Sequence, residues 1–333
     1  MRILPLDPAG NEADCALMLP CLEQNLHESY GDYPVLGSQH LRFWCSSSHD
    51  RDSVTFGALD DGAAGDRLSG YVTVNLSKLE NLDLAEALIM ATPDGEAGAE
   101  VVRLLLDHAR RYAGEQGRRR LSTGQPESAA ARYAAVRAGR PTFTSMRVTL
   151  DLREAARERS EQFAAWAAPS IKNERYRLVR WVNRCPDEFA EAYVRALASM
   201  DDAPTEDKVL EPLMLEVDRL RSDEQLLSSH DVREHVVVAV TADGVIGGFT
   251  SFAAYPEHLG AMETWGTGVI AEHRGRGLGL RLKADAISWM FGQYPQAGWV
   301  HTFNNHGNAH MLAVNEKLGF RPTNREQSFE FDC

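Results

Sequence analysis

The apolar periods of this chain run through one order of elements twice, and a duplicated order restricts the fold to two similar halves. The later copy is the clearer. Residues 177–181 read as a short strand, and 186–203 carry apolar residues at helical spacing (Phe189, Tyr193, Leu197, Met200). A second helical stretch covers 213–227. Residues 235–241 and 245–254 predict a hairpin across Ala242-Asp243-Gly244, and 262–270 a further strand. The glycine-rich segment 274–279 then opens an amphipathic helix (Leu280, Leu282, Ala286, Ile287, Met290). A strand at 298–303, a helix at 308–318 ended by Gly319, and a strand at 329–331 complete this copy. The earlier copy predicts strands at 3–6, 53–59, 68–76, 87–90 and 143–150, and helices at 12–26, 100–115 and 129–138. An Asp/Gly loop joins its central strand pair.

Two halves suit a length of 333 residues, about twice an ordinary domain. The charged, Ala-rich stretch between them predicts domains at 1–152 and 175–333 joined by a helical linker, 153–174, that ends near Pro169. No apolar run approaches the roughly 18–20 residues that span a bilayer. The first residues bring a Pro and an acid too early for a signal peptide, so the expected compartment is the cytoplasm. Cys15, Cys21, Cys45, Cys185 and Cys333 are scattered with no C-x-x-C pair, as free thiols would be, and unlike a zinc ribbon or a disulfide scaffold. A net charge of −13 repels phosphate backbones and anionic lipid, which disfavours nucleic acid and membranes as partners. It leans toward a cationic substrate, although solubility alone would account for it.

Chemistry concentrates in Arg274-Gly-Arg-Gly-Leu-Gly279, which follows a strand and opens a helix. The unpaired N–H groups and dipole of a helix N-terminus attract anions, and Gly275, Gly277 and Gly279 remove side chains that would hold a ligand off that backbone. With Arg274 and Arg276 beside it, the segment suits a pyrophosphate, or else is a turn that needs glycine. No Gly-Lys-Ser/Thr follows, which excludes a P-loop. A dinucleotide fingerprint fits poorly, because Leu280 stands where its third glycine belongs.

Residues 269–279, Val-Ile-Ala-Glu-His-Arg-Gly-Arg-Gly-Leu-Gly, resemble the acetyl-CoA signature of the GNAT N-acetyltransferase superfamily, Arg/Gln-x-x-Gly-x-Gly/Ala after the fourth strand. Downstream, Asn308-x-x-Met311-x-x-Val314-Asn315-Glu-Lys-Leu-Gly-Phe320 is similar to a second motif of that superfamily, Asn-x-x-Ala-x-x-Leu-Tyr-x-x-x-Gly-Phe. The resemblance covers the later copy well and the earlier one weakly. It implies a mixed α/β (α+β) fold: two tandem GNAT domains, each a mixed, mainly antiparallel twisted sheet flanked by helices. It further implies acetyl-CoA as co-substrate, with no metal. Thr267, Gly268 and Val269 would pair with the pantetheine arm, and the Val269 N–H would polarise the thioester carbonyl. The backbone of Arg274, Gly275, Arg276, Gly277, Leu278, Gly279 and Leu280 would hold the diphosphate, and Asn308 would contact the coenzyme from the last helix.

Glu263 is the expected general base. It lies eleven residues before Arg274, the offset of the glutamate base in the superfamily's histone acetyltransferases. By period two it shares a strand face with Trp265 and Thr267, and apolar Trp265 and Phe249 nearby would favour proton uptake. Trp265, Phe249 and Phe303 are the expected substrate contacts. Asn315 stands where many members have a Tyr that protonates the leaving thiolate; an amide donates a hydrogen bond but releases no proton. Tyr255 and Tyr294 are further donors, unranked.

In the earlier copy, Asp94, Glu96 and Glu100 take the place of the arginines, the glycines dwindle to Gly95 and Gly98, and Ser128 replaces Asn308. Carboxylates there repel a diphosphate, so this copy is expected to keep the fold without the coenzyme and to cover or shape the other site. His306 and His310 lack a third ligand at useful spacing, and no metal is expected. Arg118-Arg-Arg120 reads as a solvated helix end, Trp166 and Trp181 as packing, and His27, Tyr30, Asp32 and Tyr33 as an interface loop. The expected activity is acetyl transfer to a primary amine of a small molecule by direct attack in a ternary complex, by a monomer or homodimer. Alternatives are a non-catalytic acyl-CoA-binding module and a transferase for a longer acyl-CoA.

Overall fold

The computed structural model describes residues 1–30, 37–60, 67–92 and 95–333. Asp32, Tyr33, Pro93, Asp94 and the Asp/Gly loop therefore lie outside the described residues, as does the side chain of Tyr30. The chain divides into two compact units, neither contiguous in sequence: unit 1 comprises 1–146, 205–212 and 324–333, and unit 2 comprises 147–204 and 213–323.

Unit 1 begins with β1 (Arg2–Leu6), α1 (Glu12–Tyr30) and α2 (Gly37–Trp44). It continues through β2 (Arg51–Asp60), β3 (Arg67–Ser77), β4 (Leu84–Ala91), α3 (Gly95–Glu115), β5 (Arg120–Pro126) and β6 (Arg140–Asp151). Unit 2 holds α4 (Leu152–Ala167), β7 (Arg177–Val182), α5 (Ala190–Leu197), α6 (Val217–Ser229), β8 (Arg233–Val240) and β9 (Ile246–Ala254). It goes on with β10 (Ala261–Val269), α7 (Leu278–Gln293), β11 (Trp299–Asn305) and α8 (Ala309–Leu318). The last strand is β12 (Arg321–Asp332), and the division between units falls within β6 and within β12.

The two units repeat one pairing pattern. In unit 1, β1, β2, β3 and β4 pair antiparallel in order and β4 pairs β5 in parallel. In unit 2, β7, β8, β9 and β10 do the same, and β10 pairs β11 in parallel. Each is a mixed, mainly antiparallel sheet flanked by helices, as expected. In unit 1, residues Glu326–Asp332 of β12 also pair antiparallel with β5 along its whole length.

Apolar alternation drives both cores. In unit 1, Val72, Val74 and Ile89 meet Val101, Val102, Leu105 and Leu106 of α3, all nearly inaccessible. In unit 2, Val236, Val238, Val240 and Phe249 form one face of the sheet against Tyr193 of α5 and Phe189. Each such side chain contributes about 1.5–3 kcal/mol by leaving water.

Several elements differ from expectation. Residues 129–138 form no α-helix but carry 3₁₀ turns at Glu127–Ala129 and Val136–Ala138, with Tyr133 between them. The Tyr133 hydroxyl bonds Asn25 and the Ile89 carbonyl, and these tertiary anchors override the Ala-rich propensity. The expected 186–203 helix is three pieces: 3₁₀ turns Asp187–Phe189 and Ala198–Asp202 flank α5. Helix α7 is not amphipathic. Arg281, Lys283 and Asp285 are buried with its apolar side, because α4 lies against it and Phe163 meets Phe291 edge-on at 5.4 Å. Two arginines of the triplet are bound instead of solvated, Arg118 donating to the Leu82 and Ser77 carbonyls and Arg120 pairing with Asp83 and Glu330, while the Arg119 side chain is 81 % exposed as expected. Elements α2 and β5 were not expected at all.

Candidate active site

Strand β10 carries the site and is irregular where it matters. Its antiparallel ladder to β9 slips between Thr264 and Gly266, which makes Trp265 an extra, bulged residue. A bulge reverses the side-chain alternation that follows. Glu263 stands opposite Ala253, whereas Thr267 stands opposite Thr250, which points to the other face. The expectation that Glu263, Trp265 and Thr267 share a face thus fails at Thr267, whose hydroxyl lies 2.7 Å from that of Thr250. On its other side β10 pairs β11 only from Ala261 to Glu263, the last pair being Glu263 with His301. Beyond it, among the described residues, β10 and β11 share no ladder.

The Glu263 side chain is 12 % exposed and well ligated. Its Oε2 accepts from the Tyr255 hydroxyl (2.9 Å) and from Trp265 Nε1 (3.1 Å), while Oε1 lies 3.3 Å from His301 Nε2. His301 meets the ring of Phe303 edge-on at 5.7 Å, and Phe303 is 43 % exposed. Glu263, Trp265, Tyr255, His301 and Phe303 are therefore brought together. Phe249 lies on the same face but turns into the core, edge-on to Tyr193 at 5.7 Å. Tyr294 is elsewhere, with its hydroxyl 3.2 Å from His235 Nε2.

Two residues of this surface escaped sequence reasoning. His301 could have been found, since it is two residues from Phe303 on one strand. Glu234 of β8 also stands opposite Ala253, so it shares a face with Glu263 across a single small residue. Burial lifts its carboxyl to about 7, with Ser251 opposing and Asp223 and Glu224 adding to the rise.

The glycine corner follows β10. Gly275 (φ 74°) and Gly277 (φ 73°) both adopt the left-handed conformation that other residues rarely take, and Gly277 caps α7 without any side-chain hydrogen bond. The first N–H groups of α7 therefore face outward, unpaired within the helix. No described atom lies within 4 Å of where a side chain at Gly275 or Gly279 would begin. Arg276 Nε is buried without a hydrogen-bond partner among the described residues, and the Arg276 carbonyl accepts from Asn173 (3.1 Å). Arg274 donates to the Val269 carbonyl (3.0 Å) and pairs with Asp202 (2.5 Å). His273, bonded to the Tyr176 hydroxyl at 2.7 Å, is pushed below its usual pKa by burial and then by Arg175 and Arg276. Open donors, two arginines and empty space above glycine suit a diphosphate.

Asn308 caps α8, its side-chain oxygen accepting from Met311 N (3.1 Å). Asn315 is 1 % exposed and donates to Asn304 (2.6 Å), a β11 residue of the face opposite His301 and Phe303. It is thus separated from Glu263 by the sheet. Its Oδ1 is buried with no hydrogen-bond partner among the described residues. In unit 1, helix α3 starts at Gly95 with Glu96 in its first turn, and Glu100 pairs with Arg103 (2.6 Å). Among the described residues no helix is long and apolar enough to cross a membrane.

Residues 197–320 match the model of the acetyltransferase (GNAT) family. No curated protein sequence matches this one. Among solved structures the chain is similar to a tandem GNAT protein from the clavulanic acid biosynthesis pathway, 21% identical, TM-score 0.79, over 99% of this chain and 98% of that one. It is similar to a GCN5-related N-acetyltransferase from Sphaerobacter thermophilus, 14% identical, TM-score 0.64, over 99% and 95%. It is also similar to Saccharomyces cerevisiae N-myristoyltransferase with bound myristoyl-CoA, 11% identical, TM-score 0.62, over 99% and 78%. At such identities the likeness establishes a tandem fold of two similar halves.

Proposed function

Because residues 197–320 form a domain of the acetyltransferase (GNAT) family, we propose that unit 2 moves an acetyl group from acetyl-CoA to a primary amine of a small molecule. The observation that carries this reading is the joint placement of the left-handed glycine corner at the end of β10 and of Glu263 at the last rung shared by β10 and β11. The diphosphate rests on the open N–H groups of α7 with Arg274 and Arg276. The pantetheine arm pairs along Thr267, Gly268 and Val269, where β10 has left β11. Glu263 takes a proton from the ammonium, and the freed nitrogen pair attacks the thioester carbon. The Val269 N–H stabilises the oxyanion, the C–S bond breaks, the nitrogen loses its second proton to the departing thiolate or to solvent, and the acetyl group remains on the neutral amide. A thiol with an ordinary pKa of roughly 8.5 leaves as thiolate with little assistance, so turnover requires no proton from Asn315.

Release of free coenzyme A thiol from acetyl-CoA, measured with a panel of primary amines, tests the reading. Glu263→Gln should lower turnover about 100-fold or more and leave acetyl-CoA affinity unchanged; equal turnover would remove the assigned base. One observation favours a second reading, a non-catalytic acyl-CoA-binding module: the family's tyrosine is replaced by Asn315, already committed to Asn304. Acetyl-CoA binding without thiol release for any amine would support it.

A further inference from the structure

We propose that His301 is a positioning residue that decides which oxygen of Glu263 takes the amine proton and then shares that proton. The inference rests on the acyl-transfer reading of the same site. Oε2 of Glu263 already accepts two hydrogen bonds, from the Tyr255 hydroxyl at 2.9 Å and Trp265 Nε1 at 3.1 Å. A carboxylate oxygen with both donors in place is a poor proton acceptor, because protonation would break one of them. Oε1 instead faces the imidazole, with Nε2 at 3.3 Å. The ring is itself held: His301 is the direct parallel partner of Glu263, its side chain is 5 % exposed, and Phe303 meets it edge-on. The Phe303 ring is backed by the guanidinium of Arg147, 5.9 Å from its centroid.

The proton balance is simple. An N–H bond of the substrate ammonium breaks and its proton is bound at Oε1. It lies between Oε1 and Nε2 while the nitrogen pair attacks, and passes to solvent after the thiolate has left; the second proton, shed by the nitrogen as the amide forms, goes to the thiolate or to solvent. No other species is oxidised or reduced. Carboxylate and imidazole then titrate as a coupled pair, which binds its first proton more tightly than either group alone. Among the described residues, the titratable and charged groups facing the pair include Tyr255 on Oε2, Arg147 behind Phe303, and Glu234, which lies across Ala253 on the same sheet face.

Nuclear magnetic resonance of the full chain with ring-labelled histidine tests the pairing without requiring turnover. The His301 signal is assigned by its loss in His301→Gln, or, should that variant not fold, by its contact with the Phe303 ring. The expected result is a fall of about one pH unit in the His301 midpoint on Glu263→Gln, the usual effect of losing an adjacent carboxylate. Tyr255→Phe, which leaves Oε1 untouched, should move it much less. An unchanged midpoint in Glu263→Gln overturns the proposal. In turnover, removal of His301 should shift the acid limb of kcat/KM to lower pH, and a limb that stays in place overturns it too. A chain that shows the coupling but releases no thiol from acetyl-CoA retires the transferase reading and leaves the pairing intact.

Discussion

At the scale of residues, charge placed under cover is the most testable feature. Glu234 holds its proton up to about pH 7 when folded, but ionises near 4.5 when unfolded. Between those values the folded chain carries the extra proton, so this residue makes stability fall as pH rises, and the whole penalty is present above about 7. The shift corresponds to at most about 3 kcal/mol. Glu234→Gln should therefore raise the denaturant midpoint at pH 8 and leave it nearly unchanged at pH 4; equal gains at both would contradict the assignment. Lys283 shows the converse. Burial alone lowers it to about 7, and its ammonium lies 4.9 Å from the Phe320 ring and 5.9 Å from that of Phe252. The penalty is present below about 7 and gone above the unfolded value of 10.5. Lys283→Met should stabilise the chain at pH 6 and have little effect near pH 10.5, as thermal melts would report. Sequence alone singled out Glu263 but not its surroundings. A bulge at Trp265 leaves no mark on residue types, so period two misplaced Thr267, and the partnership with His301 depends on a register that only the folded sheet specifies.

Among the elements, those with a clear period or clear end signals were legible: both hairpins by alternation, the helix that opens at Gly277 and the helix capped by Asn308 by their terminal residues. Strand β5 was not, since its Arg-Leu-Ser-Thr-Gly-Gln-Pro has little alternation and few β-branched residues. It is a strand because β4 and β12 pair with its two edges. The 3₁₀ turn at Ala198–Asp202 deserves a test. Its Ser199 lies so near β10 that a side-chain carbon at Gly268 would approach the Ser199 oxygen to 2.4 Å, and its last residue, Asp202, occupies Arg274. A diphosphate must compete with that carboxylate for the guanidinium. Both groups are half exposed, at 50 % and 54 %, so the pair is worth no more than about 1 kcal/mol. Asp202→Asn should accordingly tighten coenzyme A binding by up to about fivefold by calorimetry. Weaker binding would show that Asp202 organises the corner instead of obstructing it.

On the scale of the whole molecule, duplication was legible and interleaving was not. Unit 1 takes 205–212 from the middle of the later copy, where Glu211 and Asn81 exchange hydrogen bonds of 2.8 and 2.6 Å. It also takes the end of β12, where Glu330, 5 % exposed, pairs with Arg120 and Arg140. We therefore propose that residues 1–152 do not make a stable domain by themselves. Expressed alone, that fragment should lack cooperative unfolding, and a peptide of residues 321–333 added in trans should restore part of it. A cooperative melt of the isolated fragment would refute this. Arg120 and Glu330 are 210 positions apart, and a ribosome adds about 5–20 residues per second. The half that emerges first thus waits about 10–40 seconds with one margin of its sheet bare, an interval in which a chaperone or a neighbouring nascent chain has its best opportunity to bind.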